Sequence, residues 1–288
     1  MNCHYLYRSL SLGGLVLMFA CSDKVEPKER PNGRVQRDQT SQTMALDLTS
    51  QSAVTTLYPL GMPDTPRRSV SAVALGGEAT AVRIYAVARG LLPAQADALA
   101  LYDHPGPGAA VNPAAAAILA EPSTRLIFYA RRPSLSLRFP VGWGLPLGND
   151  ETLVVEVEWT AVGAHRHIQV DYVEQQLKPL TAWVAETANR GTLDAPAHVS
   201  ATTSIPAGQQ IFWVSLIASP SLAPQKLKLN GVAVPMQFGT TELHDFFVPA
   251  AGKVPAAHQP VELVCATRSA TDSSASADCG VFGYYYQP

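Results

Sequence analysis

Two histidines, His165 and His167, stand two positions apart, the closest spacing of any two histidines in the chain. If this segment is a strand, residues two positions apart project from the same face, so both imidazoles could contact one metal ion. The pair follows Val162-Gly163-Ala164, a sequence typical of an exposed hairpin turn, and no third ligand can be named from the sequence. The pattern therefore leaves open a metal site or a pair of solvent-exposed turn residues.

Acidic side chains alternate with apolar ones in the segment from 152 to 160, where Glu156 and Glu158 flank Val157. This alternation predicts a strand in which Leu153, Val155 and Val157 face the better-buried side, whereas Val154, Glu156 and Glu158 face the other. Glutamates in such positions are commonly solvated or hydrogen bonded. His244-Asp245 is a further candidate acid–base pair, but no Ser or Cys nucleophile motif accompanies it.

The composition limits the possible partners. Charged residues make up only 15% of the 288 residues and the formal net charge is -2. A chain without a basic field has nothing to attract a phosphate backbone, so nucleic acid is not an expected partner.

The amino terminus has the features of an export signal, predicted over residues 1–20. Arg8 precedes an apolar run from Leu10 to Ala20, which is too short to span a bilayer. Met18-Phe19-Ala20-Cys21 resembles a bacterial lipobox, in which Cys21 is acylated and becomes the first mature residue. Ser22 in the next position does not direct retention at the inner membrane. We therefore expect an outer-membrane-anchored lipoprotein facing the periplasm or the cell surface; without acylation, cleavage near Ala20 still exports the chain.

The cysteines agree with export. Cys3 would leave with the signal and Cys21 would carry lipid, so Cys265 and Cys279 remain as a pair in an oxidising compartment. We predict a disulfide between them. Two metal thiolates are the alternative, but only His258 lies nearby to complete such a site.

Polar residues of mixed charge dominate after the signal and predict a flexible tether over 21–50. Beyond it, short apolar segments alternate with Gly, Pro, Asn and Asp, which is typical of an all-β fold. The run from Ala114 to Leu119 fits a helical turn or a loop. Turn-forming residues cluster in 187–196, which predicts two β-sandwiches, 51–190 and 197–288.

Four segments of the chain resemble the copper type II, ascorbate-dependent monooxygenases (peptidylglycine α-hydroxylating and dopamine β-monooxygenases). Their order and spacing agree with the family. The segments are a Pro-x-Gly-x-Gly-x-x-Leu-Gly turn and strand within Phe139–Trp159, the strand Ile127–Ala130 before it, Ile205-Pro206-Ala207-Gly208, and the two cysteine-bearing strands that end in Tyr284-Tyr285-Tyr286. The resemblance implies two tandem jelly-roll-like domains.

The resemblance also implies positions for copper ligands, and the residues there do not match. The family holds one copper with two adjacent histidines and a strand histidine; the first two positions fall within Val82–Val87, which lacks histidine, and the third is Glu158. The second copper uses a His-x-His pair and a methionine, which correspond to Ser215, Ile217 and Asp278. Copper prefers imidazole and thioether donors, so no cofactor is expected unless copper is held elsewhere.

Three functions follow. The first is a non-catalytic binding or structural module of the cell envelope, attached to the membrane through lipid on Cys21 and contacting an unknown protein or peptide. The second is an active copper monooxygenase with displaced ligands at the His-x-His pair. The third rests on similarity to the two-jelly-roll peptide N-glycanases and is a metal-independent glycopeptide hydrolase, with candidate acids Glu156, Glu158 and Asp278.

Overall fold

The computed structural model describes most of the chain beyond the predicted tether, and residues 39–288 form one compact unit. The described residues are 41–50, 55–62, 67–78, 81–92, 102–104, 113–131, 134–159, 161–186, 192–193, 198–217, 222–229, 231–233, 245–247, 259–267, 275–276 and 279–288. Cys21, His244, His258 and Asp278 lie outside them. Within these ranges, no helix is long and apolar enough to cross a membrane.

Strands dominate the described residues, which confirms the all-β prediction. The strands of the first half are β1 (Gln42–Thr49), β2 (Thr55–Pro59), β3 (Arg68–Gly77), β4 (Ala81–Ala88), β5 (Tyr102–His104), β6 (Arg125–Ala130), β7 (Leu135–Arg138), β8 (Trp143–Leu147), β9 (Glu151–Glu158), β10 (His165–Val173) and β11 (Lys178–Pro179). A 3-10 turn covers Arg89–Leu91, and a short helix α1 covers Pro113–Ala120. The second half contributes β12 (Thr181–Glu186), β13 (Thr192–Leu193), β14 (His198–Ile205), β15 (Gln210–Leu216), β16 (Leu222–Leu229), β17 (Val232–Ala233), β18 (Asp245–Phe247), β19 (Gln259–Thr267), β20 (Ala275–Ser276) and β21 (Gly280–Tyr286).

The first half is a jelly roll of two sheets. Sheet I has the order β1-β10-β3-β8-β11, with β7 also paired to β3, and sheet II has the order β5-β2-β9-β4-β6. The chain crosses between the two sheets from β1 to β4 and again from β8 to β10, while β4 and β6 are neighbours in sheet II; this is the jelly-roll arrangement. Their inward residues form one apolar core that includes Ile84, Val155 and Ile168, all fully buried.

The second half repeats the same strand order on a smaller scale. Sheet III has the order β12-β21-β15-β18, and sheet IV has the order β14-β19-β16-β17; β13 and β20 form a separate pair. A disulfide joins Cys265 on β19 to Cys279 at the start of β21, as predicted. Both cysteines are buried in the second core, beside Leu263 and Val281.

Sheet III is buried on both faces. One face belongs to the second core, while Trp213, Phe282 and Tyr284 on the other face join the core of the first jelly roll. The hydroxyl of Tyr284 donates a hydrogen bond to the carbonyl oxygen of Ile127 on β6, at 2.9 Å. Ile127 is the extra residue of a β-bulge between β6 and β4, so Tyr284 satisfies a backbone group outside the ladder.

The glycine-rich turn before β8 has a clear physical role. The amide of Trp143 donates to the carbonyl of Pro140 at 3.0 Å, and Gly142 between them has a φ of 89°. A type II turn requires positive φ at that third position, which glycine adopts without steric cost. Gly144 then lies so close to β3 that a Cβ would be 2.6 Å from the carbonyl oxygen of Val70.

Two strands lie on one side of a predicted domain limit and pair with a sheet on the other side of it. β1 lies in the segment predicted as tether, yet it pairs along its whole length with β10 of sheet I. β12 lies within the predicted first sandwich and pairs with β21 of sheet III. The limits 51–190 and 197–288 remain predictions. The run at 114–119, left open between helix and loop, is part of α1.

Candidate functional site

The positions equivalent to the first set of copper ligands are neighbours in sheet II. β4, which contains Val82–Val87, pairs with β9, so that Arg83 lies opposite Glu156 and Ala81 opposite Glu158. The alternate residues of the two strands, such as Ile84 on β4 and Val157 on β9, point into the core. Arg83, Glu156 and Glu158 therefore project from the outer face of the sheet, as the alternation along β9 predicts.

The guanidinium of Arg83 binds the carboxylates on this face. Its Nη1 lies 2.5 Å from Oε1 of Glu158 and 3.5 Å from Oε2 of Glu156. Nη2 donates to the hydroxyl of Tyr129 at 2.8 Å, and the guanidinium carbon is 4.1 Å from the centroid of that ring. Nη2 is also 3.7 Å from Oε1 of Glu186 on β12. A single cation thus connects sheet II of the first jelly roll with sheet III of the second.

Two further side chains, those of Arg131 and Tyr85, contact the same group. Arg131 donates from Nη2 to Glu158 Oε2 at 3.3 Å and from Nε to the Tyr129 hydroxyl at 3.1 Å. The Tyr85 hydroxyl donates to Glu156 Oε2 at 2.8 Å. We call this group the Arg83 cluster. Its members are Arg83, Tyr85, Tyr129, Arg131, Glu156, Glu158 and Glu186. Glu158 is 8% exposed, so the carboxylate is buried and ion-paired rather than solvated.

Burial and charge act together in the Arg83 cluster. Burial by itself lowers the pKa of Arg83, but Tyr129, Glu156 and Glu158 outweigh it, and that pKa lies well above its ordinary value. Burial raises the pKa of Tyr129 to about 12, although Arg83 opposes the shift. Burial and Glu156 raise the pKa of Tyr85 well above its ordinary value. At neutral pH the arginine is a cation and both tyrosines are neutral. The Tyr85 hydroxyl donates to Glu156, whereas the Tyr129 hydroxyl accepts from Arg83 and Arg131.

The equivalents of the second copper set offer no metal donors among the described residues. Ser215 is buried on β15, and its hydroxyl oxygen has no hydrogen-bond partner in the part of the chain that the structure describes. Ile217 packs in the core of the first jelly roll. Its amide donates to the carbonyl of Gly280, which is the β21 residue paired with Glu186. Ile217 and the Arg83 cluster are therefore linked across one strand.

The His-x-His pair lies on the outer face of sheet I. The side chains of His165 and His167 are 54% and 38% exposed, and that of Asp47 on β1 is 64% exposed. His167 Nδ1 is 2.6 Å from Asp47 Oδ1, and His165 Nε2 is 4.0 Å from the same oxygen. The histidines begin a strand and follow the turn instead of lying in it. Within the described ranges, no three His, Cys, Asp or Glu side chains converge on a metal-sized point.

No protein-family model and no curated protein matches the chain. Among solved structures, one similarity is to BuGH86wt in complex with neoagarooctaose, with a TM-score of 0.24 and 9% identity; it covers 86% of this chain and 32% of that one. Another is to the infectious bursal disease virus VP2 subviral particle, with a TM-score of 0.24 and 8% identity over 87% of this chain and 72% of that one. The chain thus spans about a third of BuGH86wt. TM-scores this low carry no argument about fold or function.

Two charged residues, Arg83 and Asp47, decide the geometry of these sites but were not predicted from the sequence. Arg83 is the single charged residue in the apolar strand Ala81–Ala88, and that isolation was its signal. Asp47 lies in a segment where Met44, Leu46 and Leu48 alternate with smaller or polar residues, a strand pattern within the predicted tether. Both partners are remote in sequence, 75 residues from Arg83 to Glu158 and 120 from Asp47 to His167.

Proposed function

We propose that the chain is an exported, lipid-anchored module of the cell envelope that binds or organises other components without catalysis. Its scaffold resembles that of the copper type II monooxygenases. The observation that carries the proposal is the contact between Arg83 and Glu158 at 2.5 Å, in the place where the resemblance puts the first copper.

A guanidinium cannot act as a metal ligand. It has no free lone pair and carries a permanent positive charge, so it repels a cation and occupies the carboxylate that could bind one. Removing one partner of a buried ion pair costs about 3–5 kcal/mol, so a metal that displaced Arg83 from Glu158 would have to supply at least that much. The contact favours a structural role for Glu158 over metal binding.

Two features support the scaffold part of the proposal. The two halves have the same jelly-roll strand order. The segments equivalent to the first ligand set, β4 and β9, are hydrogen-bonded neighbours, so the equivalent positions lie close together.

The anchoring part rests on the sequence around Cys21. A lipid there would fix the protein to the membrane and leave the two jelly rolls to contact a protein or peptide. Changing Cys21 to Ala should move the protein from the membrane fraction to the soluble exported fraction. Retention of Cys21→Ala in the membrane fraction would contradict lipid anchoring at this residue.

The decisive experiment is a copper titration of the purified protein and of a His165→Ala/His167→Ala variant, followed by ascorbate-dependent oxygen uptake. The proposal predicts no high-affinity copper in the double variant and no oxygen uptake by either protein. Stoichiometric, nanomolar copper that persists in the double variant, together with oxygen uptake, would overturn it. Because the double variant lacks the imidazoles of His165 and His167, binding at that exposed pair cannot imitate this result.

One observation favours the monooxygenase with displaced ligands as a second candidate. Asp47 lies beside His167 and adds an oxygen to the two imidazole groups. That candidate predicts oxygen uptake with peptide or amine substrates that disappears in the double variant. The hydrolase is less favoured, because Glu156 and Glu158 both contact Arg83 instead of facing each other across a gap; it predicts cleavage in a glycopeptide assay.

A further inference from the structure

The outer face of sheet I places three potential metal-binding side chains in adjacent positions. β10 runs antiparallel between β1 and β3, and the register puts Asp47, His167 and Gly76 in one row across the three strands. Arg166, between the two histidines, is fully buried and points to the core side. The alternation of the strand therefore fixes His165 and His167 on the same open face.

The carboxylate of Asp47 orients the ring of His167. Its oxygen lies 2.6 Å from Nδ1. When Nδ1 carries the proton and donates to Asp47, the lone pair of the ring is on Nε2. A carboxylate behind a histidine in this way fixes the tautomer and makes the other nitrogen a better ligand. His165 Nε2, at 4.0 Å from the same Asp47 oxygen, belongs to the same local group.

The site has room for an ion and its water molecules. Gly76, opposite His167 on β3, has no side chain, and a Cβ there would lie 3.7 Å from the Cβ of His167. All three polar side chains are exposed by a third or more. Two imidazole nitrogens would leave the other coordination positions of the ion to water, so it would have fewer protein ligands than the three or four of typical zinc sites.

We propose that His165 and His167 bind one divalent transition-metal ion, of the zinc, copper or nickel type, and that Asp47 positions His167 for this purpose. Imidazole ligands suit these ions and not magnesium or calcium, which prefer oxygen. The site is a binding site on the surface and is independent of the proposed function, since it involves neither the Arg83 cluster nor the equivalents of the family ligands.

The test is isothermal titration of the purified protein with Zn²⁺, repeated with Cu²⁺ and with Mg²⁺. We expect one Zn²⁺ and one Cu²⁺ per chain in the wild type and no heat from Mg²⁺. His165→Ala and His167→Ala should each weaken Zn²⁺ binding at least tenfold. Asp47→Asn should weaken it by about tenfold, the lower end of the effect expected for a residue that orients a metal ligand.

Gln169→Ala is the matched control. Gln169 is the next outward residue on β10, and its amide binds Asp171, so its removal should leave Zn²⁺ affinity unchanged. Circular dichroism of each variant verifies that the sheet remains intact. Equal Zn²⁺ affinity in the double histidine variant and the wild type, or no Zn²⁺ binding by the wild type, would overturn the site. An Asp47→Asn variant with unchanged affinity would overturn the positioning role of Asp47.

The two proposals fail separately. Loss of Zn²⁺ and Cu²⁺ binding in the double histidine variant supports the surface site and is compatible with a non-catalytic module. Persistent nanomolar copper with oxygen uptake in that same variant would overturn the module and place the metal elsewhere.

Discussion

The Arg83 cluster and the Asp47–His165–His167 group occupy the outer faces of the two sheets of one jelly roll, and they use charge in opposite ways. In the first, two guanidinium groups and two carboxylates are buried; the exposed fractions of the Arg83, Arg131, Glu156 and Glu158 side chains are 10% or less. In the second, the carboxylate and both imidazoles are open to water. A buried group of this kind is held in one arrangement, whereas an exposed one can rearrange around an added ion.

The difference follows from solvation. Charges removed from water are tolerated only when they are paired and hydrogen bonded, so each member of a buried network depends on the others. Exposed pairs keep most of their hydration and contribute little to stability. An added ligand can therefore reach the exposed group more easily. The stability of the fold should depend most on the buried group.

The largest expected effect is at Arg83. Arg83→Met removes the cation and leaves Glu156 and Glu158 buried without it, which should lower the free energy of unfolding by about 3–5 kcal/mol. Urea unfolding at pH 7 measures the change. Arg138→Met is the matched control, because the Arg138 side chain is 73% exposed, and the buried carboxylate of Asp171 keeps hydrogen bonds from Thr43 and Gln169 when Arg138 is removed. It should cost less than about 1 kcal/mol.

A triple variant separates charge from packing. Replacing Glu156 and Glu158 with Gln in the Arg83→Met background removes the two charges that Arg83 balances, while Arg131 keeps its hydrogen bond to Tyr129, so part of the lost stability should return. If Arg83→Met is as stable as Arg138→Met, the buried arginine contributes no more to stability than the exposed one, and the proposed difference between buried and exposed groups is wrong.

The class of fold was predictable because strand alternation and turn residues are local signals. The alternation of β9 assigned Glu156 and Glu158 to one face, and the cysteine pair predicted the disulfide. The environment of Glu158 was not predictable, since Arg83 reaches it only after β4 and β9 pair. The contact between Asp47 and His167 was not predictable for a similar reason. It forms only when β1 pairs with β10, which lies far from it along the chain.

The next effect concerns a buried hydroxyl at the junction of the two jelly rolls. Tyr284→Phe leaves the carbonyl of Ile127 without its donor, which should cost about 1–3 kcal/mol in urea unfolding. Tyr286→Phe is the control: its hydroxyl donates to Gln210 from a half-buried position, so its loss should cost less. Equal costs would mean that burial does not set the value of these hydrogen bonds.

The pH dependence of the Arg83 cluster should appear in alkali. The pKa of Tyr129 is about 12 in the folded protein, against about 10 when unfolded. Below pH 10 both states keep the proton; between pH 10 and 12 the unfolded state loses it first and gains stability. The free energy of unfolding should therefore fall, and Tyr129 should contribute about 1 kcal/mol of the fall between pH 9 and 11. Tyr129→Phe should lose correspondingly less over that interval, measured by urea unfolding at both pH values. An identical loss in variant and wild type would show that Tyr129 is not the group responsible.

The smallest effect on stability is expected at Asp47, which belongs to the group for which metal binding is proposed. Asp47→Asn should change the free energy of unfolding by less than about 1 kcal/mol, because the carboxylate and both imidazoles are exposed and water replaces a lost contact. Urea unfolding without metal measures this change. Repeating it with excess Zn²⁺ should stabilise the wild type more than Asp47→Asn, since a bound ligand stabilises the folded state according to its affinity. A loss above about 2 kcal/mol without metal would show that Asp47 supports the edge strand β1 in the same way that Arg83 supports sheet II, and the contrast between the two faces would no longer hold.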